Sequence, residues 1–198
     1  MLEYLQKLET QNTTVIRFPE ISWNQVLKLA KQKIELYLTK NPEVLYYVFT
    51  DPDIALVRTA PDILLFYAGI LEACPHVNVV GPHLQISDLP QSYNRTIQVK
   101  ERRQSKELSV VQRHSQFWTQ VPNMATWNGL GYHLGFHPID TTFAMRRRSL
   151  AFQRLTPRSI RTNAPYAAVH LDWYQDTNNL PADKIWYTSR VEKDVNHW

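Results

Sequence analysis

Cysteine and glycine are scarce in this 198-residue chain, which contains one cysteine and five glycines. The single cysteine, Cys74, excludes an intramolecular disulfide and a cysteine-rich zinc site, and it favours a reducing compartment. The glycines form neither a Gly-x-Gly-x-x-Gly fingerprint nor a Gly-Lys-Ser/Thr loop, and a Gly-x-Ser-x-Gly motif is absent. These absences exclude the usual Rossmann oxidoreductases, the P-loop proteins and the hydrolases with a serine nucleophile elbow.

Long hydrophobic runs are also missing. A charged residue interrupts every apolar stretch before it reaches the ~20 residues that a membrane-spanning helix needs. The amino terminus has neither the basic segment nor the apolar core of a signal peptide. The sequence therefore predicts no transmembrane segment and a cytoplasmic location, with peripheral contact at the inner face of a membrane as an alternative.

The composition suits a folded protein with a substantial core, because apolar residues make up 43% and charged residues 20% of the chain. We predict one domain over residues 1–174 and a polar tail over residues 175–198 that packs on it. The net charge of +4 comes from the second half, where 13 basic residues outnumber 8 acidic ones. Six arginines between positions 146 and 161 suit phosphate, nucleic-acid or anionic-membrane contacts, or plain solvation.

Helical and strand-like segments alternate along the first half of the chain. Residues 23–38 carry an apolar stripe at helical spacing, and Leu45–Phe49 is an apolar, aromatic run that predicts a strand buried on both faces. Pro61 suits the first turn of the next helix, and Val77–Val80 predicts another strand. This order predicts an α/β domain with a mainly parallel sheet flanked by helices.

The strongest chemical feature is Asp51-Pro52-Asp53, directly after the first predicted strand. Residues i and i+2 of an extended segment point to the same side, so both carboxylates can face one point. Open α/β sheets bind ligands outside the carboxyl ends of their strands. Two carboxylates at that place suit Mg²⁺ or Mn²⁺, which would attract a diphosphate. The same tripeptide also occurs in ordinary turns and helix caps, and that alternative stays open.

Four motifs follow one another along the chain: Tyr47–Ile54, Ile86–Pro90, Ile139–Met145 and Ala164–Tyr174. In this order they resemble the GT-A glycosyltransferases close to family 2, from the first helix to about Tyr174. The resemblance implies a Rossmann-like GT-A fold. It also implies transfer of a hexose-type sugar from a nucleoside-diphosphate-sugar to a glycan or a lipid-linked acceptor.

The resemblance further implies roles for individual residues. Asp51 and Asp53 would bind Mn²⁺ or Mg²⁺ together with the diphosphate of the donor, and His170 would complete that metal site. Asp140 would be the base that deprotonates the acceptor hydroxyl, with Asp88 as the reserve. Arg146 and Arg147 would help to bind the diphosphate or an anionic lipid-linked acceptor.

The first residues of this chain resemble a segment that lies after the start of a GT-A domain. The segment from Leu2 to Glu20 looks like the one that normally follows the first two strands of a GT-A domain, so these strands are expected to be missing if Met1 is the true start. A catalytically impaired or non-catalytic, glycan-binding relic of the fold is therefore the alternative function. Nucleic-acid binding through the arginines is disfavoured, because no helix-turn-helix or aromatic ribbon pattern accompanies them.

Overall fold

The computed structural model describes residues 6–7, 9–10, 13–16, 23–90, 96–101, 104–112, 115, 123–127, 130–136, 139, 142–149, 158–176 and 178–190. We label the helices α1 (Trp23–Lys40), α2 (Ile63–Ala73) and α3 (Ala182–Thr188), and a 3₁₀ helix covers Leu171–Tyr174. The strands are β1 (Tyr46–Phe49), β2 (Ile54–Ala55), β3 (Val79–Pro82), β4 (Thr96–Glu101), β5 (Gln104–Ser109), β6 (Asn123–Trp127), β7 (Leu130–Phe136), β8 (Ala144–Arg147), β9 (Ser159–Thr162) and β10 (Val169–His170). None of the helices in these ranges combines the length and apolar character needed to span a bilayer.

Six strands form one mixed sheet in the order β1-β8-β3-β9-β7-β6. β3 and β9 are parallel, whereas the other four neighbouring pairs are antiparallel. The predicted α/β class is therefore confirmed, but the prediction of a mainly parallel sheet is wrong. The main reason is β8, which lies between β1 and β3 and runs in the opposite direction to both.

The sequence pattern of β1 led to a wrong prediction of how deeply this strand is buried. β1 lies at one end of the sheet order, next to β8. Val48 is 38% exposed, and the other three residues of the strand are only partly buried. The prediction of a strand buried on both faces is wrong, because a run of apolar and aromatic residues also suits an outer strand with partial cover.

The main core lies between α2 and one face of the sheet. Its buried members include Phe66, Tyr67, Leu71, Val80, Met145 and Ile160. The Tyr67 hydroxyl shares a hydrogen bond of 2.9 Å with Thr162 Oγ1, which ties the helix to β9. The helix predicted after Pro61 is thus confirmed, and its apolar face supplies much of the core.

A second, smaller core surrounds the short sheet formed by β2 and β10. It contains Leu84, Leu89, Val110, Ala168 and Trp173. β2 and β10 are antiparallel, with His170 opposite Ile54. This small core therefore holds together the segments that follow β1, β3 and β9.

Strand direction brings these segments to one edge of the sheet. β8 is antiparallel to β1 and β3, and β9 is parallel to β3, so β1, β3 and β9 all point the same way. Asp51–Asp53, His83 and Asn163 directly follow these three strands, at what we call the site edge. Because β8 runs the other way, Ala144 lies at the site edge and Arg147 lies towards the opposite edge.

Candidate functional site

Asp53 and His170 lie together at the site edge. His170 Nδ1 is 3.4 Å from Asp53 Oδ2. The pairing of β2 with β10 places His170 opposite Ile54, and the Leu171 N–H donates to the Asp53 carbonyl over 2.8 Å. Backbone pairing thus fixes the separation of two residues to which the resemblance gives a metal-binding role.

The two side chains differ in their access to solvent. The His170 side chain is 2% exposed, whereas that of Asp53 is 28% exposed. The Trp173 ring lies nearly parallel to the imidazole, with centroids 4.7 Å apart and planes 5° apart. Dense packing of this kind leaves the imidazole little freedom to rotate. The site therefore pairs an accessible carboxylate with an imidazole held in a fixed orientation.

Asp51 precedes this pair in a turn of the chain. The Ile54 N–H donates to the Asp51 carbonyl over 3.4 Å, so the chain forms a turn here rather than an extended segment. The expectation that Asp51 and Asp53 face one point was based on extended geometry, which is not the geometry observed. Across the described ranges, no group of three His, Cys, Asp or Glu side chains is placed to hold a metal ion.

Asp88, the reserve base, belongs to a separate group with Tyr174 and Arg58. The Tyr174 hydroxyl donates to Asp88 Oδ1 over 2.6 Å, and Arg58 Nη1 donates to Oδ2. These contacts, that of Tyr174 first, hold the pKa of the Asp88 carboxyl below its usual value. A carboxylate with a lowered pKa and both oxygens engaged is a weak proton acceptor. We therefore assign Asp88 to holding the 3₁₀ helix against the segment after β3.

Asp140 lies outside the described residues. On one side of it, Ile139 is buried and clusters with Val79 and Ala144. On the other side, Thr142 is 4% exposed and lies two positions before β8. The described residues on both sides of Asp140 are thus buried, and the role of Asp140 as the acceptor base stays a prediction.

No known protein family, curated protein or solved structure matches this chain. The likeness to GT-A glycosyltransferases therefore rests on the four sequence motifs. The placement of Asp53 beside His170 is a structural observation independent of that likeness.

Arg147 lies away from the site edge, and its guanidinium is bound by backbone carbonyls. Nε donates to the Val77 carbonyl over 2.8 Å, and Nη2 donates to the carbonyls of Leu71 and Cys74. Leu71 and Cys74 lie at the carboxyl end of α2, where carbonyls lack helical partners and the helix dipole is negative. Arg147 therefore caps α2, and the structure does not bring it to the Asp53–His170 pair.

Arg146 is fully buried within the sheet, between Tyr47 of β1 and Val79 of β3. Burial raises the pKa of the Tyr47 phenol, and the positive charge of Arg146 opposes that shift.

Arg148 donates to the carbonyls of Leu38 and Asn41, each over 2.6 Å, and so caps α1. Arg147 and Arg148 thus bind helix ends, and Arg146 is enclosed in the sheet, so the alternative of a solvated arginine run is wrong.

The Arg147→Met variant is expected to lose about 2 kcal/mol of unfolding free energy, because carbonyls at the end of α2 lose a charged donor. Urea unfolding followed by circular dichroism measures this loss. The matched Arg190→Met variant removes an exposed guanidinium that lies over the Trp186 ring, and its change is expected to stay within about 0.5 kcal/mol. Unchanged stability together with weakened diphosphate binding in Arg147→Met would instead restore the phosphate-binding role.

Two polar pairs near the site edge were missed by sequence reasoning. His83 is 2% exposed, and its Nδ1 shares a hydrogen bond with Asn163 Oδ1, which joins the ends of β3 and β9. Lys184 of α3 forms an ion pair with Asp172 of the 3₁₀ helix, with Nζ 2.5 Å from Oδ2. The position of His83 three residues after the strand predicted at Val77–Val80 was an available signal. Lys184 gave none, since it lies in the polar tail.

Proposed function

We propose that this chain is a metal-dependent glycosyltransferase that moves a sugar from a nucleoside-diphosphate-sugar to a glycan or glycolipid acceptor. The observation that carries the proposal is the 3.4 Å contact between Asp53 and His170, which are far apart in sequence. The motif order supplies the functional expectation. The contact agrees with it, because two residues expected to share a cation lie side by side at the carboxyl ends of the strands.

Asp53 and His170 fit a divalent cation by chemistry and by spacing. Metal–oxygen and metal–nitrogen distances of about 2.0–2.2 Å place two ligand atoms of one ion about 3 Å apart. The observed 3.4 Å between Asp53 Oδ2 and His170 Nδ1 is close to that value. An imidazole ligand favours Mn²⁺ over Mg²⁺, since Mg²⁺ prefers oxygen. With two protein ligands, the other positions suit diphosphate oxygens and water.

The proposed reaction breaks the bond between the anomeric carbon of the sugar and a diphosphate oxygen, while the acceptor oxygen forms a new bond to that carbon. A divalent cation supplies charge to stabilise the leaving diphosphate. Asp53 and His170 would hold that cation at the site edge, and Asp140 would accept the proton of the acceptor hydroxyl. The small core packs behind His170 and keeps water from that side of the imidazole.

The Asp53→Asn variant is expected to bind a nucleoside diphosphate at least about 10- to 100-fold more weakly than the wild type in the presence of Mn²⁺. That is the loss typical of removing a group that only orients a metal ligand, and Asp53 is itself a proposed ligand. Titration calorimetry with Mn²⁺ and either uridine or guanosine diphosphate measures this change. Inorganic pyrophosphate with Mn²⁺ gives the same comparison without dependence on the base. Repeating the titration with EDTA is expected to abolish wild-type binding.

The Glu72→Gln variant is the matched control, because it removes an exposed carboxylate of α2 and is expected to bind as the wild type does. Equal affinity in Asp53→Asn and the wild type would remove the central assignment. Absence of all Mn²⁺-dependent binding in the wild type, together with glycan binding on an array, would favour the non-catalytic relic.

A further inference from the structure

Lys184 and Asp172 form a mostly buried ion pair beside the site. The Lys184 side chain is 17% exposed and that of Asp172 is 9% exposed. Lys184 Nζ donates to Asp172 Oδ2 over 2.5 Å, and Gln175 Nε2 donates to Oδ1 over 3.1 Å. Both oxygens of a sequestered carboxylate are thus bound by residues that follow it in the chain, and the positive charge comes from α3.

Asp172 lies within the 3₁₀ helix that connects both members of the Asp53–His170 pair. His170 directly precedes this helix, and the Leu171 N–H donates to the Asp53 carbonyl over 2.8 Å. Trp173 directly follows Asp172 and stacks on the His170 ring. The 3₁₀ helix is therefore in contact with the imidazole, through Trp173, and with the backbone of Asp53, through Leu171.

A buried pair of this kind differs from a surface salt bridge. Exposed pairs contribute little, but removal of one partner of a buried pair leaves an uncompensated charge that the structure must expose or neutralise. Asp172 shares the short 3₁₀ helix with Trp173, whose ring stacks on the His170 imidazole, so a shift of Asp172 after loss of its partner would act on that ring.

We propose that Lys184 is a positioning residue for the metal site: acting through Asp172, it holds the 3₁₀ helix so that His170 and Asp53 stay within reach of one cation. Helix α3 then contributes to the site through Lys184, although it lies in the polar tail. This inference rests on the proposed function, because it assigns Lys184 to the same metal and diphosphate site. Lys184 itself contacts neither the cation nor the diphosphate.

The test compares Mn²⁺-dependent binding of inorganic pyrophosphate, by calorimetry, with unfolding in urea. Lys184→Met is expected to bind about 10-fold more weakly, as is typical when a residue that orients metal ligands is lost. Lys184→Arg keeps a positive charge opposite Asp172, so the carboxylate stays paired and binding is expected to stay within about threefold of the wild type. Lys33→Met, an exposed lysine on α1, is the matched control and is expected to match the wild type in both measurements.

A double variant distinguishes an effect of Lys184 on the geometry of the metal site from an effect on the stability of the fold. Asp172→Asn with Lys184→Met removes both charges, so its stability is expected to recover towards the wild-type value. Its binding is expected to remain weak, because the link from α3 to the 3₁₀ helix is still missing. Binding that recovers together with stability would overturn the proposal, as would wild-type affinity in Lys184→Met. Failure of the wild type to bind pyrophosphate with Mn²⁺ would instead overturn the proposed function, and this inference with it.

Discussion

The Asp140→Asn variant is expected to release nucleoside diphosphate about 1,000-fold more slowly than the wild type, because an amide cannot accept the proton of the acceptor hydroxyl. Its affinity for Mn²⁺ and pyrophosphate is expected to be unchanged, since the proposed cation ligands are Asp53 and His170. The measurement is nucleoside diphosphate released from a panel of nucleotide-sugars in Mn²⁺, with and without added glycan acceptors.

Asp88→Asn is the informative comparison for this prediction. Tyr174 and Arg58 occupy both oxygens of Asp88 and keep the pKa of its carboxyl low, so its loss is expected to slow turnover by less than about tenfold. A large loss in Asp88→Asn with full turnover in Asp140→Asn would exchange the two assignments. Comparable turnover in the wild type, Asp140→Asn and Asp88→Asn would exclude both carboxylates as the base.

The Gly81→Ala variant is expected to lose about 3–4 kcal/mol, a large share of the 5–15 kcal/mol that typically stabilises a domain. A Cβ at this position would lie 2.6 Å from the Phe143 carbonyl oxygen and 3.1 Å from Ile139 Cδ1. β3 is hydrogen-bonded on both sides, to β8 and to β9, so its backbone cannot move away from this oxygen. Urea unfolding of the purified variant measures the loss.

The Ile139→Val variant identifies which of the two contacts limits the space. It removes the Ile139 Cδ1 atom, and by itself it is expected to cost about 1 kcal/mol. Combined with Gly81→Ala, it is expected to leave most of the loss in place, because the Phe143 oxygen belongs to the backbone. Near-complete rescue by Ile139→Val would show that side-chain crowding, rather than the backbone contact, excludes a Cβ.

Local patterns in the sequence predicted the elements of the fold better than their pairing. The apolar spacing after Pro61 predicted α2, and the β-branched run at Val77–Val80 predicted the strand next to it. The direction of β8 could not be predicted in this way, because neighbouring strands are set by contacts between residues distant in sequence. The two strands at Thr96–Glu101 and Gln104–Ser109 were also missed, since their charged residues carry little apolar periodicity.

The candidate site was predicted in part. Asp53 and His170 came from the motif order, and the structure places them together. The turn at Asp51–Asp53, in place of the expected extended segment, is a conformation that Asp-Pro-Asp permits but does not dictate. The binding of Arg147 and Arg148 to helix ends could not be predicted either, because their acceptors are backbone carbonyls, which every residue type carries. Lys184 reaches Asp172 through tertiary packing, which no local pattern indicated.

The successive residues Arg147 and Arg148 bind the carboxyl ends of two different helices, α2 and α1. Residues that follow each other along a chain cannot separate, so local opening at the end of β8 frees both helix ends at once. We therefore expect the two helices to open as one cooperative unit, although they are separated in sequence by β1 and β2. A solvated arginine run would have left each helix to fray independently.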